Sequence, residues 1–354
     1  MNRTASHLNA RSQTLFGNAL VFETPFRRRG NRVAGTRSFP NRVWERGTLL
    51  IATLLALAVS IAHAGSGLRD EIEHSFKVSP GGVLTIDADL GNVEIRTSDT
   101  DTVRIEFTRE FKVATAEEAN ELRQKLTVEM GQHENTDTAV NRVNLTVRFA
   151  GDRKGRERDK VRLDFRIAMP RKFNLDLRAI GSAKIGDLDG TVKAVMKGGS
   201  VQFGNVTGPV TARTDGGSIS IGDVGGDFEA TSNGGSISVG RANGKVMARA
   251  NGGSVAIDEA TDAIDAKAAG GSVAAYISKQ PRSDSKLIAE AGNVELRLPE
   301  SIAVNIDASC SAGRLRSDFS LNGHQDDERL KGTINGGGPL VMVRASAGNI
   351  NLRK

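Results

Sequence analysis

One polar cluster near the C-terminal end has the residue types of a cation site. His324 is followed by Asp326, Asp327 and Glu328. Imidazole nitrogens and carboxylate oxygens are common ligands of divalent cations. The spacing matches no calcium motif, so a solvated acidic loop is the simpler interpretation. The other histidines have neither a cysteine nor a second histidine close by in the sequence, which argues against zinc.

Five Gly-Gly-Ser triplets are the second feature with chemical potential. Glycine-rich loops can bind phosphate, but here no Lys-Ser/Thr pair and no helix follows them. A calcium-binding nonapeptide repeat needs Gly-Gly-x-Gly-x-Asp, and Ile219 occupies the place of the required third glycine. Arg241, which aligns with Asp223 one repeat later, would repel a cation. We therefore expect neither phosphate nor calcium binding at these triplets.

No residue of the chain is identified as catalytic, cofactor-binding or metal-ligating. There is no nucleophile elbow, phosphate loop or paired-carboxylate motif, so we do not expect an enzyme or a cofactor. The single cysteine, Cys310, excludes an intrachain disulfide, and its alternating surroundings predict a small buried core position. With Trp44 the only tryptophan and Tyr276 the only tyrosine, aromatic sugar binding is not favoured.

The spacing of the triplets defines the architecture. Their serines, Ser200 to Ser272, recur every 18 residues without insertion. Apolar residues repeat two positions apart on either side of each triplet, which is the period of a strand with one buried face. Each unit thus holds two short strands that must stack on copies of themselves. The sequence predicts an all-β, single-chain β-solenoid with about 18-residue coils, and one short helix in the N-terminal cap region.

The corners and the core of this solenoid can also be predicted. A column of alanines, Ala230 among them, indicates a thin coil in which a large side chain would collide with the facing sheet. We expect the glycine pairs at sharp corners, where positive φ is needed and a side chain would obstruct. Asn233 and its equivalents precede them, and asparagine tolerates left-handed turns. The serine column is expected to bond corner backbone groups or neighbouring hydroxyls.

The charge of the chain is concentrated at its N-terminus. Residues 1–47 contain nine arginines and two acids, whereas the formal net charge of the whole chain is +6. The part from Gly65 onward is therefore nearly neutral, which gives no case for nucleic-acid binding. Thr48–Ala64 is an apolar run that ends in Ala-His-Ala, typical of a secretory signal. An uncleaved membrane anchor is the alternative, and either places Gly65–Lys354 outside the cytoplasm.

The regions outside the regular repeat are expected to act as caps. Thr115 with Glu118 three residues later is a capping box, which predicts a helix over Ala116–Leu126. Gly151–Lys160 is predicted to be a charged hairpin tip. We divide the chain into a disordered Arg-rich leader (1–47), a signal peptide or membrane anchor (48–64), an N-terminal β cap region (65–170), regular coils (171–278) and irregular C-terminal coils with a cap (279–354).

The chain resembles the bacterial putative adhesin domain, a Gly-rich β-solenoid family. The matching features are Leu84–Asp89 with the Gly-Asn corner after it, Met169-Pro170, the Gly-Gly-Ser corners and the ending Ala347–Leu352. The resemblance covers Glu71–Lys354 and implies surface attachment. Relatives are similar to proteins found near envelope-stress signalling systems. The family has no catalytic residues to carry over.

Two functions are the resulting hypotheses. The first is a non-enzymatic extracytoplasmic adhesin-like structural or binding module, at the bacterial cell surface or in the periplasm. The alternative is a periplasmic accessory or sensor protein in envelope-stress signalling. We expect a protein or cell-surface partner, no nucleic acid, and membrane contact only through residues 48–64 if they are uncleaved. End-to-end self-association stays open.

Overall fold

The computed structural model of the chain describes residues 68–135, 140–151 and 155–354. The predicted leader (1–47) and the segment Thr48–Ala64 lie outside these residues, so their assignments stay predictions. In the described part, no helix has the length and apolar character needed to cross a membrane. The sheets of this described part run from the strand that begins at Arg69 to the strand that ends at Arg353, with the hydrophobic core between them.

The described residues form 27 strands, one α-helix and one 3₁₀ turn. The N-terminal part contains β1 (Arg69–Lys77), β2 (Val83–Ala88), β3 (Asn92–Ser98), β4 (Thr102–Phe111), α1 (Ala116–Gln124), β5 (Leu126–Asn135), β6 (Val140–Phe149), the 3₁₀ turn Arg158–Lys160 and β7 (Val161–Pro170). The coils after β7 contain β8 (Asn174–Ala179), β9 (Ala183–Ile185), β10 (Val192–Met196), β11 (Val201–Phe203), β12 (Val210–Thr214), β13 (Ile219–Ile221), β14 (Phe228–Ser232), β15 (Ile237–Ala242), β16 (Val246–Ala250), β17 (Val255–Ala260), β18 (Ile264–Ala268) and β19 (Val273–Ile277). The C-terminal part contains β20 (Ser285–Ala289), β21 (Val294–Arg297), β22 (Val304–Cys310), β23 (Leu315–Ser317), β24 (Asn322–Gln325), β25 (Arg329–Ile334), β26 (Leu340–Ala345) and β27 (Ile350–Arg353).

The predicted all-β solenoid is confirmed. Each repeat contributes one strand to a 13-stranded sheet, sheet A, and one to a 14-stranded sheet, sheet B. In the regular part, each strand pairs in parallel with the equivalent strand one coil later. Val210 is the Cα partner of Phe228, Phe228 of Val246, and Ile219 of Ile237. The 18-residue column of the sequence is therefore a ladder of directly adjacent side chains.

One continuous core runs between the sheets from Phe76 to Leu352. It is thin in the regular coils, where Ala230 is 1% exposed and lies between Ala212 and Ala248. At the N-terminal end it is thicker, and the rings of Phe107 and Phe165 lie 5.6 Å apart. The alanine column thus points inward, as its spacing predicted.

The prediction of positive φ at the Gly-Gly-Ser corners is wrong. None of the glycines in these triplets has a positive φ, and Asn335 is the only non-glycine residue of the described part that does. A Cβ on the second glycine of each triplet would instead meet the corner backbone of the preceding coil; on Gly235 it would lie 2.5 Å from the carbonyl oxygen of Gly217. Glycine is required because corners stack backbone on backbone.

The ends of the solenoid do not follow chain order. The coil formed by β2 and β3 lies between the β6–β7 coil and the β8–β9 coil. At the other end, the coil formed by β26 and β27 lies between the β20–β21 and β22–β23 coils. The first and the last coil in chain order, β2–β3 and β26–β27, are therefore each paired with another coil on both sides. The outer positions are held by other strands, mostly antiparallel ones such as β1, β5 and β24.

The predicted helix in the cap region is confirmed, although α1 ends at Gln124 rather than Leu126. The hydroxyl of Thr115 accepts a hydrogen bond from the backbone N–H of Glu118 at 3.2 Å, which satisfies one of the free donors of the first turn. Ala119 and Leu122 are buried on one side of α1 and join the core. The helix therefore closes the N-terminal end of the solenoid.

Candidate binding surface

The His324 cluster is a turn within a β-hairpin. His324 lies in β24 rather than in the predicted loop, and its Nε2 is 3.1 Å from Oδ2 of Asp326. Oδ1 of Asp326 accepts the backbone N–H groups of Glu328 and Arg329 at 2.8 and 2.7 Å. These bonds, with the one to His324, lower the pKa of Asp326. Its carboxylate is thus engaged in holding the turn, and the described residues contain no group of three or more metal-ligating side chains.

Cys310 occupies the buried core position that its alternation predicted. Its side chain is 4% exposed, and its sulfur lies near the carbonyl oxygens of Asp327 and Glu328 at 3.8 and 3.7 Å. Burial raises the pKa of the thiol, and the negative charges of the neighbouring acids add to that effect. A buried thiol with a raised pKa is a poor nucleophile, so Cys310 is a structural residue.

Side-chain ladders stiffen the corners. The serine oxygen of one coil accepts the backbone N–H of the serine one coil later, as from Ser236 to Ser218 and from Ser254 to Ser236 at 3.1 Å. Asn233 donates from its amide to Asp215 at 2.9 Å, and Asn251 donates to Asn233 at 2.9 Å. The polar columns that the sequence showed are therefore structural, and each coil is tied to the next at its corner.

Two polar features of the corners are not apparent from the repeat. The hydroxyls of Thr214 and Ser232 are fully buried and bridge corners, each accepting from a glycine N–H and donating to a glycine carbonyl. Asp262 is 1% exposed and accepts the backbone N–H of Arg282 at 3.0 Å and its Nε at 2.9 Å. The pairing of this buried carboxylate with the exposed Arg282 fixes the loop between β19 and β20.

The outer face of sheet A carries one row of directly adjacent side chains across its strands. The row begins with alternating charges and continues with small polar and apolar residues, in the order Glu106, Arg166, Glu94, Lys184, Gln202, Ser220, Ser238, Ala256 and Ala274, after which it reaches Glu295, Asn351 and Arg316. Alternating charges thus lie on the coils nearest the N-terminal end, and small side chains cover the regular coils.

The charged part of this row forms a depression of about 470 Å³ that we call the basic groove. Its walls are Arg162 and Arg166 of β7, Glu94 of β3, Lys184 of β9 and Gln202 of β11. A second depression shares Glu94 and Lys184 with it and extends toward Arg96, Arg171 and Asp187. The basic groove therefore lies on strands of four neighbouring coils.

Most charges around the basic groove are already paired. Arg96 lies 2.9 Å from Glu94, Arg162 lies 2.7 Å from Asp164, and Arg171 lies 3.6 Å from Asp187. Glu106, the cross-strand neighbour of Arg166, pairs with Arg104 at 2.9 Å.

This pairing leaves Arg166 and Lys184, both exposed, without an ion pair to any acid in the described part of the chain. The two flank Glu94 on the neighbouring strands of sheet A. The basic groove therefore presents two free cations among charges that already have partners.

Sheet B carries a groove of about 320 Å³ in which three of the four acids are structural. Asp227 accepts the backbone N–H of Lys245 at 2.9 Å, and Asp284 accepts that of Leu340 at 2.8 Å. Asp265 pairs with Arg249 at 2.9 Å. These carboxylates hold turns and neighbouring strands, whereas Glu229 and Lys245 of the same groove are exposed and make no ion pair in the described part of the chain. This groove therefore offers one free charge of each sign, and the basic groove of sheet A offers two free cations.

The free cations of the basic groove are the part of the surface that sequence reasoning missed. Arg162, Asp164 and Arg166 alternate along one predicted strand, which signals an exposed charged face. Finding Lys184 beside them requires knowing that the β2–β3 coil is inserted between the coils of β7 and β9. The charged loop Gly151–Lys160 is not the predicted hairpin tip, because the strands that flank it, β6 and β7, lie in different sheets. In its described part, Glu157 lies 2.6 Å from Lys125.

Parallel coils, a thin core and capped ends define the class of protein as a β-solenoid. The chain belongs to the Toastrack DUF4097 family, whose sequence profile matches residues 83–353. The resemblance drawn from the sequence motifs is thereby confirmed. No curated protein matches the chain.

Solved structures of bacterial proteins show a distant likeness. A putative cell adhesion protein from Clostridium sporogenes is 14% identical, with 79% of this chain and 98% of that one covered and a TM-score of 0.23. A putative adhesin from Parabacteroides merdae is 11% identical, with 80% and 96% covered and a TM-score of 0.31. A putative lipid binding protein from Parabacteroides distasonis is 12% identical, with 80% and 97% covered and a TM-score of 0.25.

Proposed function

We propose that the chain is a non-enzymatic, extracytoplasmic β-solenoid that binds a partner through the outer face of sheet A. The observation that carries this is the basic groove, where Arg166 and Lys184 stand exposed and unpaired in the described structure. The corners beside the groove are bonded from coil to coil, because Asn92 donates its amide to Asp164 at 3.1 Å and accepts the backbone N–H of Ser182 at 3.1 Å. Binding groups on rigid elements lose little freedom when a partner docks.

The extracytoplasmic location in this proposal rests on the sequence. The apolar run Thr48–Ala64 comes after two arginines and ends in Ala-His-Ala. A cleaved signal and an uncleaved anchor both export the part of the chain that lies C-terminal to them.

A periplasmic accessory or sensor role is the second candidate, and the N-terminal end favours it. There α1 presents Glu117 and Glu121 to solvent, while its buried side closes the core. The C-terminal end has no helix in its described residues and is closed by the β24–β25 hairpin instead. The two ends of the solenoid are therefore chemically different, and a partner could bind one end selectively.

Protease accessibility on cells tests the location and separates the two roles. Intact cells and cells with a permeabilised outer barrier are treated with a broad-specificity protease, and fragments are identified by mass. Cleavage on intact cells supports surface display and a role in attachment. Protection until permeabilisation supports the periplasmic role, and resistance after permeabilisation alone, with cleavage only after lysis, would refute export. The mass of the N-terminal fragment shows whether the chain is cut after Ala64.

A further inference from the structure

We infer that the basic groove binds an acidic, extended segment of a partner protein, with carboxylates seated on Arg166 and Lys184. This rests on the proposed binding function and names its ligand class. An arginine guanidinium and a lysine ammonium are both donors without acceptor capacity, so their natural partners are anions. In the described structure neither has a carboxylate within ion-pair distance, whereas the arginines around them do.

The spacing of the two cations suits a peptide. Arg166 and Lys184 lie on strands separated only by β3, so their Cα atoms are two strand spacings, about 9.6 Å, apart. Alternate side chains of an extended peptide are about 6.6 Å apart on one face. The long side chains of glutamate, arginine and lysine span the difference. Gln202 lines the groove beside Lys184 and offers an amide to the peptide backbone.

The acids around the groove favour a peptide over an anionic membrane. Glu94, Asp164 and Asp187 are interleaved with the cations on the same face. A membrane of anionic lipid is a continuous negative surface that would approach these carboxylates as closely as the cations. Discrete carboxylates on a peptide can contact Arg166 and Lys184 and leave the neighbouring acids in solvent. Like-charge contacts of the wrong partner are a common source of specificity.

The test uses Gly65–Lys354, because the leader is rich in arginine and would itself attract acids. This segment contains the whole described core and both sheets. The probe is a fluorescein-labelled, alternating Ser-Glu octapeptide, with a Ser-Gln octapeptide as its uncharged control. Binding is monitored by fluorescence anisotropy over a range of salt concentrations. We expect the acidic peptide alone to bind, with an affinity that falls as salt rises.

Matched variants assign the binding to the groove. The double variant R166Q/K184Q should weaken binding about tenfold, as expected for the loss of two exposed charge contacts. The double variant K193Q/K245Q removes the same charge from two exposed, unpaired lysines on the sheet B side, Lys193 in β10 and Lys245 just before β16, and should leave the affinity unchanged. The exchange R166K/K184R keeps both charges and should retain binding. Circular dichroism shows whether each variant keeps its β-structure.

Four results would overturn the inference. They are no binding of the acidic peptide at low salt, equal weakening by both double variants, binding to phosphatidylglycerol vesicles without binding to the peptide, and a self-association in sedimentation velocity that R166Q/K184Q abolishes. The last would make a second copy of the chain the occupant. The protease experiment on cells does not depend on the groove, so export can stand when the peptide assignment fails.

Discussion

A single methyl group at a Gly-Gly-Ser corner should destabilise the solenoid, and the reason can be distinguished from backbone strain. A Cβ on Gly235 would lie 2.5 Å from both the carbonyl oxygen of Gly217 and the hydroxyl of Ser218. The nearest of these approaches is 0.9 Å short of the 3.4 Å at which ordinary van der Waals contact begins. The corner backbone cannot retreat freely, because Ser236 donates its N–H to Ser218 across the same interface.

The magnitude for Gly235→Ala is set by two opposing terms. Overpacking of a rigid interior costs about 1–3 kcal/mol. Loss of the glycine's freedom in the unfolded chain offsets about 0.4–1 kcal/mol of that. We expect a net loss of about 1–2 kcal/mol in the free energy of unfolding, which for a large domain lowers Tm by about 2–4 °C per kcal/mol. Urea unfolding monitored by circular dichroism measures it, with hydrogen exchange to show whether neighbouring coils open separately.

Comparing alanine with asparagine at Gly235 and at Gly81 separates the effect of steric contact from that of a strained φ. Gly81 has φ +84° and no atom within 4 Å of an added Cβ. There, asparagine should be tolerated better than alanine, because asparagine adopts left-handed φ more readily. At Gly235, asparagine should be at least as harmful as alanine, since both add a Cβ. Rescue of Gly235 by asparagine would refute the steric explanation and favour positive φ at the corner instead.

Three further changes test the core, a buried carboxylate and the C-terminal coil. Ala230→Leu should cost about 1–3 kcal/mol, and Ser238→Leu on the outer face less than about 0.5 kcal/mol; equal losses in urea unfolding would show the strand register to be wrong. Burial alone would raise the pKa of Asp262, but hydrogen bonds from Arg282 outweigh burial and lower that pKa. The ionised carboxylate therefore stabilises the fold at pH values above its unfolded pKa of about 3.9. That stabilisation is lost as the pH falls through the lower pKa of the folded state. Asp262→Asn should flatten this acid dependence of the urea midpoint, and an unchanged profile would contradict the role. Deletion of residues 340–354 exposes the edges of β20 and β22 and should cause concentration-dependent aggregation in light scattering, whereas a soluble monomer with native circular dichroism would contradict the pairing.

The repeat made the regular coils predictable almost residue by residue. With a constant 18-residue period, a column in the sequence is a ladder in the sheet, and inward and outward positions can be assigned from alternation alone. The helix α1 was predictable for a local reason as well, since its capping hydroxyl lies three residues before the N–H it accepts. The geometry of the corners was not predictable from the sequence. Close stacking of backbones and a positive φ both favour glycine, and only the three-dimensional structure distinguishes these two reasons.

The candidate binding surface was predictable only in part. Alternation shows that Arg166 faces solvent, and the Gly-Ser corner beside Lys184 aligns it with later outward positions. Whether either cation is free depends on cross-strand neighbours, and these are set by pairing between β7, β3 and β9. Strands with the same alternation of polar and apolar residues cannot be told apart by that pattern, so the pattern does not show which strands pair. The sequence near Arg166 and Lys184 therefore does not indicate the inserted coil that brings them together.

The inserted coils also explain the acidic cluster that first suggested a cation site. Terminal strands fray and exposed sheet edges invite pairing with other chains, so a chain that ends at the edge of a solenoid carries both liabilities. Here β26–β27 is paired on both sides, and the β24–β25 hairpin closes the end. The turn of that hairpin accepts the backbone N–H of Leu315 at the carbonyl of Asp327, at 2.8 Å, and that of Cys310 at the carbonyl of Glu328, at 2.9 Å. Its carbonyl oxygens satisfy donors beside the short edge strand β23, and its charges face solvent at this end of the solenoid, where charged side chains discourage pairing of exposed sheet edges.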